Sequence, residues 1–311
     1  EPQAGGACRA GNIYNLLQRV LYRMVEQGQL EYAQIPVISL NLMGEEKHTG
    51  FRITPSLLSG GIAAGCYGDL IMCLYQQVKP YEQNPGETDR IRSQVEKKLC
   101  ESIRRHRNGR HTREKNYRYA CEVFSKVPVK PGKKKRVGIT GEIYMKYSKL
   151  GNDDIESFLL RQGMEPYSGG FVNYCLYLVD TERYKAEKYQ HNPVMAKACA
   201  FVLHRLCEAQ KHLLTVIGET DRFQTDLPFP ELKEKVQGIL AEGCNTGDGW
   251  LIAAEVIQYV EKGCGSVLIL HPFGCLVSHV CERGILQRLH ARFPDVSIQT
   301  IEYDYDQSKT L

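Results

Sequence analysis

Apolar residues recur along most of the chain with the spacing of amphipathic helices, and short continuous apolar runs separate these stretches. Recurrence every three to four residues predicts helices, and the short runs predict buried strands. Strands that alternate with helices through short connections are typical of a doubly wound parallel sheet, so the pattern predicts an α/β fold. We expect helices at 12–28, 54–75, 88–108, 153–163, 183–217, 231–241, 246–263 and 277–292, and strands at 35–40, 137–140, 266–270 and 296–302.

Helix starts and stops carry local signals of their own. Thr54-Pro55 combines a capping side chain with proline at the first helical position, and Asp153 and Thr246 are the expected caps of two later helices. The lysine-rich stretch 128–136 predicts a linker. We therefore expect a mostly helical α/β region with a basic helix over 1–130 and a flavodoxin-like α/β domain over 131–311, with helical insertions.

The basic residues are concentrated in one segment, because residues 90–136 contain 17 Lys/Arg and only 4 Asp/Glu. Such an excess is typical of a surface for nucleic acid, for CoA or nucleotide phosphates, or for an acidic protein, and also of a solvated helix face. The tyrosines interleaved with the charges are only Tyr117 and Tyr119. Nucleic acid is the least favoured partner, since base stacking needs more aromatic side chains.

Composition limits the class of protein. Apolar residues at 42% and charged residues at 24% exclude a disordered chain, a collagen and a coiled coil. The lack of an uninterrupted apolar run of about 18 residues predicts no membrane span. Twelve cysteines without any CxxC spacing exclude a self-contained zinc ribbon and favour a reducing cytoplasm. The start at Glu1, without a leader, favours a piece of a longer chain.

Three segments are expected to meet at the carboxyl ends of the strands, where ligands bind in parallel sheets: 140–142, 270–275 and 303–305. Cys275 lies in a Pro/Gly loop just before a predicted helix, whose positive end stabilises a thiolate or an anionic cluster. The alternative is a buried thiol that packs the turn. His271 and His279 flank this cysteine, which leaves open a Cys/His nucleophile or a mixed metal site.

Two further places could carry chemistry. Glu142 follows a strand, where it fits an acid/base role and equally a carboxylate at the start of a helix. Cys8 and Arg9 follow a glycine pair, in a turn that resembles a ligand loop. The spacings GxxxxGK[ST], GxGxxG, GxSxG and HExxH are absent, so no ATPase or known hydrolase activity is assigned to this chain.

Several of these segments together resemble one family. They are 1–10, 67–69, 80–82, 86–89, 137–143, 247–250 and 271–275 with His279, and the PFGC loop and the GGACRA segment are the most specific. In this order they resemble the carboxyl-terminal region of the large activase-related proteins of the 2-hydroxyacyl-CoA dehydratase system. The resemblance covers nearly the whole chain.

The resemblance implies a fold similar to dehydratase subunits and an iron–sulfur cluster, most typically 4Fe-4S. It implies Cys275 as the first cluster ligand and Cys8 as the second, with Gly274 beside the cofactor; sequence upstream or another subunit would complete the ligand set. The implied partners are an activase ATPase domain, in the same full-length chain or separate, and an acyl-CoA substrate, and a homodimer is compatible. The implied activity is that of a reductase or dehydratase-like module. The alternative is a non-catalytic scaffold that docks the ATPase domains.

Overall fold

The computed structural model describes residues 11–31, residue 37 and residues 54–304. The chain forms two compact units, Glu1–Ile53 and Thr54–Leu311. In the first unit the described structure contains helix α1 (Gly11–Glu26), which confirms the first predicted helix. The predicted strand at 35–40, apart from residue 37, and the predicted ligand Cys8 lie outside the described residues.

The second unit is an α/β structure. Its described elements, in chain order, are α2 (Pro55–Val78), α3 (Glu87–Arg104), α4 (Arg110–Ser125), β1 (Arg136–Gly141), α5 (Ile143–Tyr147), α6 (Ile155–Arg161), β2 (Glu165–Tyr167), α7 (Phe171–Lys188), α8 (Pro193–Gly218), α9 (Phe229–Glu234), α10 (Gly249–Glu261), β3 (Ser266–Pro272), a π-helical turn (Ser278–Glu282), α11 (Arg283–Arg292) and β4 (Ser297–Tyr303).

The four described strands form one parallel sheet in the order β2-β1-β3-β4. After β1 the chain forms β2 on one side of it, and it then returns to form β3 on the other side. The direction in which successive strands are added therefore reverses between β1 and β3. Such a topological switch point is the usual ligand crevice of doubly wound sheets, and the order 2-1-3-4 begins the flavodoxin-like arrangement. The predicted parallel α/β sheet is therefore confirmed.

Helices cover both faces of the sheet. Val137, Ile139 and Leu270 pack with Leu159 of α6 on one face. The alternate residues of β3, Val267 and Ile269, join the larger core on the other face. This alternation follows from the two-residue period of a strand, which points successive side chains to opposite faces.

The larger core contains residues from both sides of the predicted boundary at 130/131. Leu70 and Leu74 of α2 and Phe124 of α4 belong to the same buried cluster as Trp250 and Val256 of α10. Helices α2, α4, α7 and α8 pack on one another beside the sheet. By length and composition alone α2 could also cross a membrane, a test that the core helix of a soluble protein passes as well. Leu70 and Leu74 of α2 are fully buried.

Some predicted helix limits are confirmed and others are wrong. The Thr54 Oγ1 atom accepts the Leu57 N–H at 3.1 Å, as expected of a cap. The predicted helix at 183–217 is two helices, because Pro193 cannot continue α7 and Asn192 caps α8 instead. The predicted helix at 231–241 ends with α9 at Glu234.

Two predicted caps are displaced by one or two residues. The residue before α10 is Asp248 rather than Thr246. The residue before α6 is Asp154 rather than Asp153, and both have positive φ angles, 52° and 51°. The three-residue strand β2 has no counterpart in the prediction, because the residues Glu-Pro-Tyr are too few and too mixed in polarity to give a periodic signal.

Candidate functional site

The carboxyl ends of β1, β3 and β4 bring the three predicted segments together. The Glu142 N–H donates to the Leu270 carbonyl at 2.8 Å, and the Phe273 N–H donates to the Tyr303 carbonyl at 2.7 Å. Segments 140–142, 270–275 and 303–304 therefore form one continuous edge at the switch point, while residue 305 lies outside the described part of the chain.

Gly141 allows this close approach. Its φ is +131°, and a Cβ atom built on it would overlap the backbone of Leu270. Only glycine combines that backbone conformation with a side chain small enough for the contact. The glycine that ends β1 thus holds the first segment directly against the second.

Glu142 caps the short helix α5. One of its carboxylate oxygens accepts the Met145 N–H at 3.0 Å. This is the geometry of a carboxylate at a helix start, the structural alternative considered for this residue. An acid/base role for Glu142 stays a prediction.

A buried ion pair lies beside this turn. Lys146 Nζ donates to both carboxylate oxygens of Glu255, at 2.7 and 2.9 Å, and Thr140 Oγ1 donates to one of them at 2.5 Å. Both charged side chains are only 3% exposed. Sequence reasoning missed this pair because the two residues lie on different elements, and neither has a local motif.

A small cavity of about 10 Å³ adjoins the ion pair, with room for at most one water. Asp248 lines it, and burial, followed by the neighbouring Glu142 and Glu282, raises the pKa of Asp248 well above its usual range. Burial also raises the pKa of Glu282, in the π-helical turn, to about 7, although the Ser278 hydroxyl opposes the rise. Burial therefore favours the protonated forms of Asp248 and Glu282 at this edge.

Cys275 is partly buried between β3 and the π-helical turn. Burial is the main cause that raises the pKa of its thiol, while the Ser278 hydroxyl and backbone N–H lower it. The thiolate expected from the helix N-terminus is therefore not favoured, because desolvation outweighs these hydrogen bonds. Gly274 precedes it with φ +66°, a conformation that turns the loop toward the helix.

Cys281, in the π-helical turn, lies near both Cys275 and Cys244. Burial raises the pKa of Cys281 to about 11, and Cys244 and Cys275 are both close enough to raise it further. The loop that contains Cys244 packs against Val277, the residue before the π-helical turn, because a Cβ atom on Gly247 would lie 2.8 Å from Val277 Cγ2. Two features of the sequence could have pointed to these cysteines. They are the spacing of Cys281 after Cys275 and the glycine-rich loop 243–249.

The two flanking histidines face β4 instead of the thiol. His279 Nε2 lies 3.4 Å and His271 Nδ1 3.7 Å from the same carboxylate oxygen of Glu302, and Arg283 lies 3.1 Å from it. Burial lowers the pKa of His271, which favours its neutral form. The Cys275 thiol has the Ser278 hydroxyl as a hydrogen-bond partner. The geometry therefore does not pair this thiol with a histidine base.

The start of α7, beyond β2, is filled by carboxylates from other elements. Asp69 accepts the N–H groups of Phe171 and Val172 at 2.7 and 2.9 Å, and Asp226 accepts that of Gly170 at 3.1 Å. A helix N-terminus in this position commonly binds phosphate. Here the protein's own side chains satisfy it, so the open chemistry lies at the β1–β3 edge.

Across residues 11–31 and 54–304, no three His, Cys, Asp or Glu side chains are arranged to hold a single metal ion. Comparisons with known proteins gave no match to a family model, a curated protein or a solved structure.

Proposed function

We propose that this chain is an iron–sulfur-cluster-binding module of an ATP-driven, low-potential redox system, with a fold similar to dehydratase subunits. It receives electrons from an activase ATPase domain and acts on an acyl-CoA or a related substrate that is hard to reduce. The observation that supports the proposal is the position of Cys275 in the loop after β3 at the switch point of the sheet, with Cys281 close enough to interact electrostatically with both Cys275 and Cys244.

The donor set fits such a cluster in kind, because iron–sulfur clusters are held mainly by cysteine thiolates, typically four. Among the described residues no three such side chains are arranged to hold a single metal ion, so cluster binding would have to draw the thiols together. Cys244, Cys275 and Cys281 would supply three ligands. Cys8, or a cysteine of another subunit, would supply a fourth, and Gly274 lets the loop approach the cofactor. When bound, the cluster supplies one-electron chemistry.

Ligation has to remove the protons of these thiols. Because burial raises the pKa of Cys275 and Cys281, cluster binding releases protons and becomes more favourable as the pH rises. The positive end of the helix after Cys275 would stabilise the negative charge of the thiolate-ligated cluster.

The test is the content of iron and acid-labile sulfide per chain in protein purified without oxygen. We expect stoichiometric iron in the unaltered protein and a clear loss in Cys275→Ser, Cys281→Ser and Cys244→Ser. Cys264→Ser is the control, because Cys264 is even more buried than these three cysteines but precedes β3 at the opposite edge of the sheet. Full iron in Cys275→Ser would contradict the ligand assignment.

The second candidate is a scaffold that keeps the fold and docks the ATPase domains without catalysis. The protonated thiols, and the lack of a three-ligand group within the described residues, favour it. It predicts no stoichiometric iron and no loss of activity of the full assembly in Cys275→Ser. Both candidates place the protein in the cytoplasm, where thiols stay reduced.

A further inference from the structure

The basic segment 90–136 is divided by the fold into two separate patches. Helix α4 separates the turn that joins α3 to α4 from the loop 130–135. A helix of this length spans about 24 Å, so one compact ligand cannot contact both. The loop 130–135 leads into β1, at the amino-terminal edge of the sheet.

The α3–α4 turn lies toward the opposite edge. Along α2, Gln76 contacts Ser168 after β2, and Asp69 contacts the start of α7. Ser56, at the beginning of α2, lies 3.1 Å from His106 in the turn. From Asp69 to Ser56 the helix advances about 20 Å further, so the turn projects beyond the carboxyl edge, the side of the candidate site.

We call the exposed side chains Arg104, Arg105, Arg107, Arg110 and His111 the basic turn. Glu101 is the acidic partner found there, and Arg104 and Arg105 share it at 2.9 and 2.5 Å. Between residues 102 and 113 the sequence contains no acidic residue. Most of the positive charge of the turn is therefore left without compensation.

The first turn of α4 adds to this charge. It carries no acidic residue, and its cap, Gly109, has no side chain that could accept a hydrogen bond from the first N–H groups. Helices usually place acidic side chains at this positive end, and basic ones there are unfavourable. Such a local violation of charge preference is expected where an external anion binds.

Two exposed leucines adjoin the basic turn. Leu57 and Leu58 are 48% and 55% exposed on the first turn of α2, next to Ser56. An apolar centre with an arginine-rich rim is the composition of protein–protein interfaces. A nucleic-acid surface would instead be uniformly polar, and a stacking platform would need exposed aromatic side chains.

We propose that the basic turn, together with Leu57 and Leu58, is the docking surface for an acidic, partly apolar helix of a protein partner. The inference goes beyond the proposed function, because docking here requires no bound iron. This surface would bring the partner to the side of the sheet on which Cys275 lies. The length of α2 beyond Asp69 sets the distance between the partner and that edge.

The probe is a synthetic amphipathic peptide with glutamates on one face and leucines on the other, titrated against the full chain at low and physiological salt. Replacing Arg104, Arg107 and Arg110 by Ser is expected to weaken binding at least about tenfold. The matched control replaces Lys133, Lys134 and Lys135 by Ser, which removes the same charge from the other patch and should leave binding unchanged. Leu57→Ser with Leu58→Ser should weaken binding of the peptide but not of poly-L-glutamate.

Competing probes keep the inference falsifiable. Duplex DNA and phosphatidylserine-containing vesicles are titrated under the same conditions. Tighter binding of either than of the peptide, an equal loss in the lysine control, or no binding of the peptide overturns the proposal. Circular dichroism of each variant confirms that it is folded, and iron content is irrelevant to every arm.

Discussion

At the scale of single residues, the approach of β1 to β3 depends on Gly141. Its neighbour across the contact is the backbone of Leu270, which is fixed by its pairing with both adjacent strands. A side chain at 141 would have to displace that backbone or break the pairing. The candidate site is therefore sensitive to a substitution that adds only one carbon atom.

We expect Gly141→Ala to lower the free energy of unfolding by about 3 kcal/mol or more, through the overlap and the strained backbone together. Gly132→Ala is the matched control, since Gly132 also has a positive φ, +120°, but open space around it. It should lose only about 1–2 kcal/mol. Urea unfolding measures both, and equal losses would contradict the packing argument.

At the scale of elements, helix α7 depends on residues far from it in sequence. Asp69 of α2 and Asp226 before α9 provide acceptors for its first N–H groups. Burial raises the pKa of Asp69 to about 7, although these hydrogen bonds oppose the shift. The helix start is thus tied to the protonation of a buried carboxyl group.

This gives a pH dependence of stability with a definite sign. The folded protein binds the Asp69 proton more tightly than the unfolded chain, whose pKa is near 3.8. The stabilisation of the folded state by the bound Asp69 proton is therefore fully present below pH 3.8 and is lost as the pH rises through about 7. Asp69→Asn should make the fall in unfolding free energy between these values shallower.

Asp89 is the matched control for that measurement. Although partial burial opposes it, hydrogen bonds from Lys79 and Tyr75 lower the pKa of Asp89, so its contribution is lost as the pH falls instead. Asp89→Asn should change the pH profile in the opposite direction. Unfolding curves across the acidic range measure both variants, and the same change in both would contradict the assignment.

At the scale of the whole second unit, one core joins helices α2, α3 and α4 to the sheet. Leu70, Leu74 and Phe124 are fully buried in the cluster that contains Trp250. Without them, the partner surfaces on α8 and α10 would be exposed. The predicted division at 130/131 therefore marks a change of pattern along the chain, and the shared core leads us to expect that 131–311 does not fold independently.

We expect residues 131–311, produced alone, to lack the cooperative thermal unfolding of the full chain. The physical reason is the loss of the apolar contacts that α2 and α4 make with α8. Circular dichroism in the near and far ultraviolet measures this. A sharp transition at the melting temperature of the full chain would show instead that 131–311 is an independent domain.

Local signals in the sequence determined much of the secondary structure and the class of fold. Thr54-Pro55 and the strand–helix alternation after 136 act over a few neighbouring residues, so they can be read without knowledge of the rest. The alternation also predicted which loops meet at the edge that contains Cys275 and Glu142, because parallel strands end on the same side.

Only the tertiary structure decided which distant side chains share that edge. It paired Lys146 with Glu255, brought Cys244 toward Cys281, and turned His279 toward Glu302. These contacts join residues from separate elements, and the packing of both helical layers on the sheet sets them. Burial then determined the protonation of the thiols and carboxyl groups, since desolvation depends on everything that surrounds a group and not on its neighbours in sequence.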